Sequence, residues 1–141
     1  MSYENPWLYD GKIFESEDIN DYFGFCYLLT DLENGMKYIG RKYFYSFRKI
    51  RGRGAHKRMK SESDWKSYYS SSKKVQQIVK ESGHNRFKRE ILSLYLKKGQ
   101  VNYNETKLLF QHNVLEARDD NGEKLYYNDN IMNRYFSTIM E

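Results

Sequence analysis

Two β-prone segments joined by Asn34-Gly35 constrain this chain more than anything else in it. Residues 23–30 (FGFCYLLT) are apolar and aromatic, and residues 36–41 (MKYIGR) resume that character after Asp31-Leu32-Glu33-Asn34-Gly35. Asn-Gly supplies the positive φ that a tight hairpin turn demands, so an antiparallel hairpin is expected. Tyr27 and Tyr38 then sit near its ends with ten residues, 28 to 37, between them. Two tyrosines on neighbouring strands can simply stack. Stacking does not explain why Gly40 and the cations Arg41 and Lys42 come next.

The rest of the pattern predicts an α+β domain in the order β-β-α-β-α. Its expected architecture is a small three-stranded antiparallel sheet flanked by helices. Helical character begins within residues 65–72 and runs to Ser82, with Val75, Ile78 and Val79 on one face and Gly83 as the stop. Residues 87–96 read as a third strand. Asn102 followed by Glu105 resembles a capping box that opens a helix to about Leu115. On that helix Leu108, Leu109 and His112 follow Glu105 at helical intervals, which points Glu105 inward. Residues 1–20 read as a polar leader with Trp7 as anchor. Residues 43–64 read as a basic loop or insertion, with a frayed helix as the other option, and 129–141 as a short C-terminal helix. One domain over residues 1–141 is the expectation for 141 residues.

Charge placement says more than the net +5. Ten of the 24 Lys and Arg residues lie from Lys37 to Lys60, and none of the 19 acidic residues does, so the remaining chain is net acidic. A basic segment on an acidic body is the footprint of a polyanion partner. Tyr43, Phe44, Tyr45 and Phe47 are interleaved with those cations, and bases stack on such rings. The single cysteine, Cys26, lies in an apolar run and reads as a small buried hydrophobe. No Cys/His set has zinc spacing. No apolar run approaches a membrane span and no secretory signal layout opens the chain, so a soluble intracellular protein is expected. No phosphate-binding glycine loop, nucleophile elbow or zinc deaminase signature is present either.

Phe25-Cys26-Tyr27 and Tyr38-Ile39-Gly40 together resemble the paired signature of the GIY-YIG nuclease family. The second tripeptide matches fully. In the first, Phe25 and Cys26 stand for Gly and Ile, with Gly24 just before. The resemblance covers residues 23–130 and is most specific over 25–48. The aromatic, serine-rich segment at 65–72 is similar to the phage-encoded, homing-endonuclease-like branch.

That resemblance implies a metal-dependent DNA endonuclease acting on phosphodiester bonds. It implies Tyr27 as general base with Tyr38 positioning water. Lysine, arginine and a metal-bound phosphate nearby would lower a phenol's pKa. Arg48, eight residues beyond Gly40, is at the family's customary arginine distance, with Arg41, Lys42 and His56 as alternatives in the same basic run. Glu105 is the implied ligand of one Mg²⁺ or Mn²⁺, beside its other reading as a helix cap. Asn128 is the implied terminal asparagine, with Asn130 second. Gly40, Lys49, Arg51, Arg53, Lys57 and Arg58 are the implied nucleic-acid contacts. A single site cuts one strand at a time, so nicking or pairing of two protomers is expected. The other reading is a basic module that binds nucleic acid without cutting it.

Overall fold

A computed structural model describes residues 2–49 and 58–139, with the backbone alone at Arg48, Lys49, Arg58, Met59 and Ile139. Its strands are β1 (Leu8–Tyr9), β2 (Lys12–Ile13), β3 (Gly24–Asp31), β4 (Lys37–Tyr43), β5 (Tyr45–Lys49), β6 (Arg58–Glu62), β7 (Phe87–Tyr95), β8 (Asn130–Ile131) and β9 (Tyr135–Phe136). Its α-helices are α1 (Lys73–Ser82) and α2 (Lys98–Gln111). The main sheet runs β2-β1-β7-β3-β4.

The expected hairpin is β3 and β4, in a register that sets Tyr27 opposite Gly40 and Leu29 opposite Tyr38. Gly35 takes the turn's positive φ of 78°. The third antiparallel strand, β7, pairs with the other side of β3. The sheet nevertheless exceeds the expected three strands. The N-terminal segment is not a leader but two further strands, and β1 lies parallel to β7 with Leu8 beside Glu90. Burial drives this. Trp7 is fully buried, its indole N–H donates to the Trp65 carbonyl at 2.7 Å, and its ring lies 5.1 Å from those of Phe25 and Tyr27.

Strand alternation sends β3 side chains to two layers. Phe25, Tyr27 and Leu29 join Trp7, Phe14, Phe44, Trp65 and the Val75/Ile78 face of α1 in an aromatic core. Cys26 points oppositely, its thiol 3.6 Å from the Val101 carbonyl of α2. Leu28, Ile39 and Leu109 form a second core on that side with Tyr126 and Ile131. The helices therefore cover opposite faces of the sheet. α1 starts from Ser72, whose hydroxyl accepts from Val75 N–H, and stops at Gly83 with φ 93°.

Other expectations need correction. The basic segment is not a loop at its two ends, because β5 and β6 pair as an antiparallel ribbon with Phe47 opposite Lys60. Alternating aromatic and polar residues suit a two-stranded ribbon better than a helix. α2 opens one turn before Asn102, since Gln100 Oε1 accepts the Lys97 N–H at 3.1 Å and caps it there. The capping box of Asn102 and Glu105 therefore does not form. His112 is exposed rather than part of the apolar stripe. The C-terminal segment holds the β8–β9 hairpin and a 3-10 turn (Ser137–Ile139) in place of an α-helix.

Asp31, at the end of β3, ties the hairpin to the remainder of the chain and sets an acid limit. It is fully buried. It accepts from Arg86 Nε and Nη2 at 2.9–3.1 Å, Tyr127 OH at 2.6 Å and Glu33 N–H at 2.9 Å. Burial pushes its carboxyl up, but the Arg86 and Tyr127 donors outweigh that and hold it below the usual carboxylate range. A depressed folded-state value contributes stability above about pH 4 that is lost as pH falls through it. Asp31→Asn should cost about 2–4 kcal/mol at pH 7 and flatten the acid limb. Urea unfolding of both proteins at neutral and acid pH measures this, and identical acid limbs would refute it.

Candidate active site

The YIG strand explains its own glycine. A Cβ built on Gly40 would overlap the Tyr27 hydroxyl, and would lie 2.6 Å from Tyr27 Cζ and 3.0 Å from Tyr38 Cε1. Only a residue without a side chain lets the Tyr27 ring cross here. Tyr27 and Tyr38 stack with centroids 6.2 Å apart and planes 26° from parallel. Tyr27 is 1% exposed, and its hydroxyl hydrogen-bonds to that of Tyr68, whose ring stands edge-on to it at 6.1 Å. Tyr38 lies nearer the surface, 3.4 Å from Ser71 Oγ. Ser70, just before that serine, is buried with φ 115°, a conformation L-residues seldom adopt. That strained backbone presents Ser71 to Tyr38.

Around the outer edge of β4 opens a cleft of about 570 Å³, lined by Tyr38, Arg41, Ser71, Asn102, Glu105 and Asn128 among others. Arg41 Nε lies 3.3 Å from Glu105 Oε1. Its guanidinium also covers the Tyr43 ring at 4.9 Å, and Tyr43 OH donates to Asn102 Oδ1 at 2.6 Å. Burial pushes the Glu105 carboxyl above its ordinary range while Arg41 pulls it back. The chemistry available is a desolvated carboxylate, a guanidinium and a phenol facing one space.

The phenols run opposite to expectation. Burial raises the pKa of Tyr27 well above 10 and also raises those of Tyr38 and Tyr68. Desolvation outweighs the neighbouring cations because the nearest of these are engaged. Lys42 Nζ is 2.6 Å from Asp64 Oδ1 and 4.0 Å from the Tyr68 ring centre, while Arg41 holds Glu105.

The family model described as "Putative endonuclease segE, GIY-YIG domain" matches residues 7–131. The chain belongs to the GIY-YIG family. No curated protein and no solved structure matches it.

In this GIY-YIG domain several residues named from sequence gather around the β4 edge from both faces of the sheet. Tyr38, Arg41, Glu105 and Asn128 line one cleft, with Tyr27 packed beneath Tyr38. Lys42 lies on the Tyr68 side instead. Asn128 is 3% exposed and its amide pairs with one backbone unit: Oδ1 accepts from Ile39 N–H at 3.1 Å and Nδ2 donates to Ile39 O at 2.9 Å. It fixes the cleft wall. Asn130, the second choice, lines the same cleft. Arg48, Lys49 and Arg58 lie on the β5–β6 ribbon, not on a helix. His56, Arg51, Arg53 and Lys57 lie outside the described residues. Sequence reasoning missed Tyr68, Ser71 and Asn102. The serine-rich run at 70–72 was the available signal for the first two.

The donors suit a hard divalent cation. Among the described residues no group of three or more His, Cys, Asp or Glu side chains forms a cage. Mg²⁺ commonly takes one or two carboxylates and completes its shell with water and substrate phosphate. Glu105, in a cleft whose other donors include Asn102 and Asp129, fits that pattern.

Proposed function

We propose that this protein is a metal-dependent DNA endonuclease that hydrolyses phosphodiester bonds in the Tyr38–Arg41–Glu105 cleft. The observation that carries the proposal is the convergence of these three side chains on one space beside Gly40. The basic segment from Lys37 to Lys60 supplies the complementary charge for a polyanion.

Hydrolysis adds water to phosphorus and breaks the bond to the leaving oxygen, while negative charge builds on the phosphoryl oxygens. Arg41 faces those oxygens with paired donors and stabilises that charge. Glu105 would hold one Mg²⁺ or Mn²⁺, which supplies charge neutralisation at the leaving oxygen. Tyr38 is a neutral phenol at neutral pH, so it orients the attacking water through its oxygen. It accepts a proton only where opposite charge offsets its burial. Tyr27 supports Tyr38 from below and shares its hydroxyl hydrogen bond with Tyr68. With one such cleft per chain, a double-strand break takes two successive nicks or two protomers.

The test is direct. Supercoiled plasmid incubated with the protein and Mg²⁺ should relax by nicking, and EDTA should abolish the reaction. Supercoiled DNA persisting at every Mg²⁺ and Mn²⁺ concentration would leave the non-cleaving binder in its place.

A further inference from the structure

On the far side of Arg41 lies a second cleft of about 380 Å³, which no step of the cleavage reaction uses. Its rings are Phe23, Tyr43, Tyr45, Phe47 and, at the inner end, Tyr68; its cations are Arg41, Lys42 and Lys98, and no carboxylate is among its described lining residues. Phe23 and Phe47 are near-parallel, 13° apart with centroids at 6.4 Å. Phe47 is nevertheless 45% exposed, leaving a large apolar ring open to solvent at the foot of the β5–β6 ribbon. Lys60 sits 4.0 Å over the Tyr45 ring and Lys98 lies 5.8 Å from that of Tyr43.

An exposed ring, Phe47, beside the cations Lys60 and Lys98 matches one ligand chemistry, a flat base carrying a phosphate. A paired base inside a duplex has no free face to offer. An unstacked base has two. We infer that this cleft is a subsite for an unpaired nucleobase of the DNA strand being cut, held against Phe47 on the nucleotide next to the scissile phosphate. Arg41 lines both clefts and so spans the two positions. The assignment rests on the nuclease reading for where the scissile phosphate lies. It makes the preferred substrate a strand already open or distorted beside the cut, since extruding a base from intact duplex costs a few kcal/mol.

The test is fluorescence anisotropy in EDTA with three labelled DNAs: a perfect duplex, the same duplex with one unpaired thymidine, and its single strand. Wild-type protein should favour the latter two. Phe47→Ala should weaken those two by roughly 5- to 100-fold and leave the perfect duplex unchanged. Phe47→Trp should keep the preference, with its emission quenched on binding against a constant background from the buried Trp7 and Trp65. A thermal melt of each variant checks that the fold is intact. Phe47→Ala binding all three DNAs like wild type, or an unquenched Phe47→Trp, overturns the subsite. A Phe47-dependent preference in a protein that never nicks plasmid upholds the subsite and sinks the cleavage reading. Nicking with a Phe47-independent preference does the reverse.

Discussion

Glu105→Gln should lower the rate of plasmid nicking in saturating Mg²⁺ by about 10³-fold while leaving the protein folded. Glutamine preserves the shape of the side chain, so the cleft keeps its walls, but the formal charge opposite Arg41 is gone. The variant also separates chemistry from binding. Removing a negative charge from a polyanion site should leave DNA affinity in EDTA unchanged or higher. Stability should move the same way. Burial raises the Glu105 pKa, so its ionisation opposes folding as pH rises through the folded-state value, and the neutral amide escapes that opposition. The predicted triad of results is lost nicking, undiminished binding and an unlowered melting temperature. Glu105→Gln cutting at near wild-type rate would remove this carboxylate from the reaction.

Arg89→Met should be the most destabilising single change on the sheet, at about 3–5 kcal/mol. Arg89 is 1% exposed and has no carboxylate partner among the described residues. Its guanidinium instead donates to the carbonyls of Glu4, Asn5, Lys66 and Tyr68 at 2.5–3.2 Å. The rings of Trp7 and Tyr69 flank it at 4.8 and 4.3 Å. Methionine fills similar volume and leaves the apolar contacts, so the loss isolates the hydrogen bonds. Four backbone acceptors would be buried without their donor. A fall in melting temperature of roughly 10–20 °C is expected. Arg89→Lys should rescue little, because one ammonium cannot reach acceptors spread over a planar fork. Nicking by the surviving folded fraction should fall as well, since Arg89 fixes the backbone of Tyr68, whose hydroxyl meets that of Tyr27. A melting temperature within a few degrees of wild type would show that water replaces the fork, and the clamp would lose its importance.

What the sequence disclosed follows from how local each signal is. The β3–β4 hairpin was legible because Asn34-Gly35 and the flanking apolar runs decide it within twenty residues. β1 was not, because its partner is β7, with Leu8 set beside Glu90 across the length of the chain. No periodicity in the first 20 residues reports such a contact. Glu105 was found on the correct side of its helix, yet the helix start was misjudged because Gln100 caps a turn earlier than Asn102 could. Strand alternation, applied to residues 38–43, already places Arg41 with Ile39 and Lys42 with Tyr38. The two cations, read from sequence as equivalent alternatives, do lie apart in the structure, with Arg41 on Glu105 and Lys42 over Tyr68. The tyrosine acidities could not be read, because they depend on burial, and 14 tyrosines in one sequence do not say which is enclosed.

The amide of Asn128 has a consequence beyond the cleft it walls. Sheets grow by recruiting a neighbour's strand along an open border, and β4 is such a border. Here Lys37 N–H and C=O are taken by Leu125 O and Tyr127 N, and those of Ile39 by the Asn128 side chain. The molecule has thus closed its own seam with a single strap of chain. Two copies meeting on DNA could not merge their sheets along this stretch of β4 without first unpicking the strap.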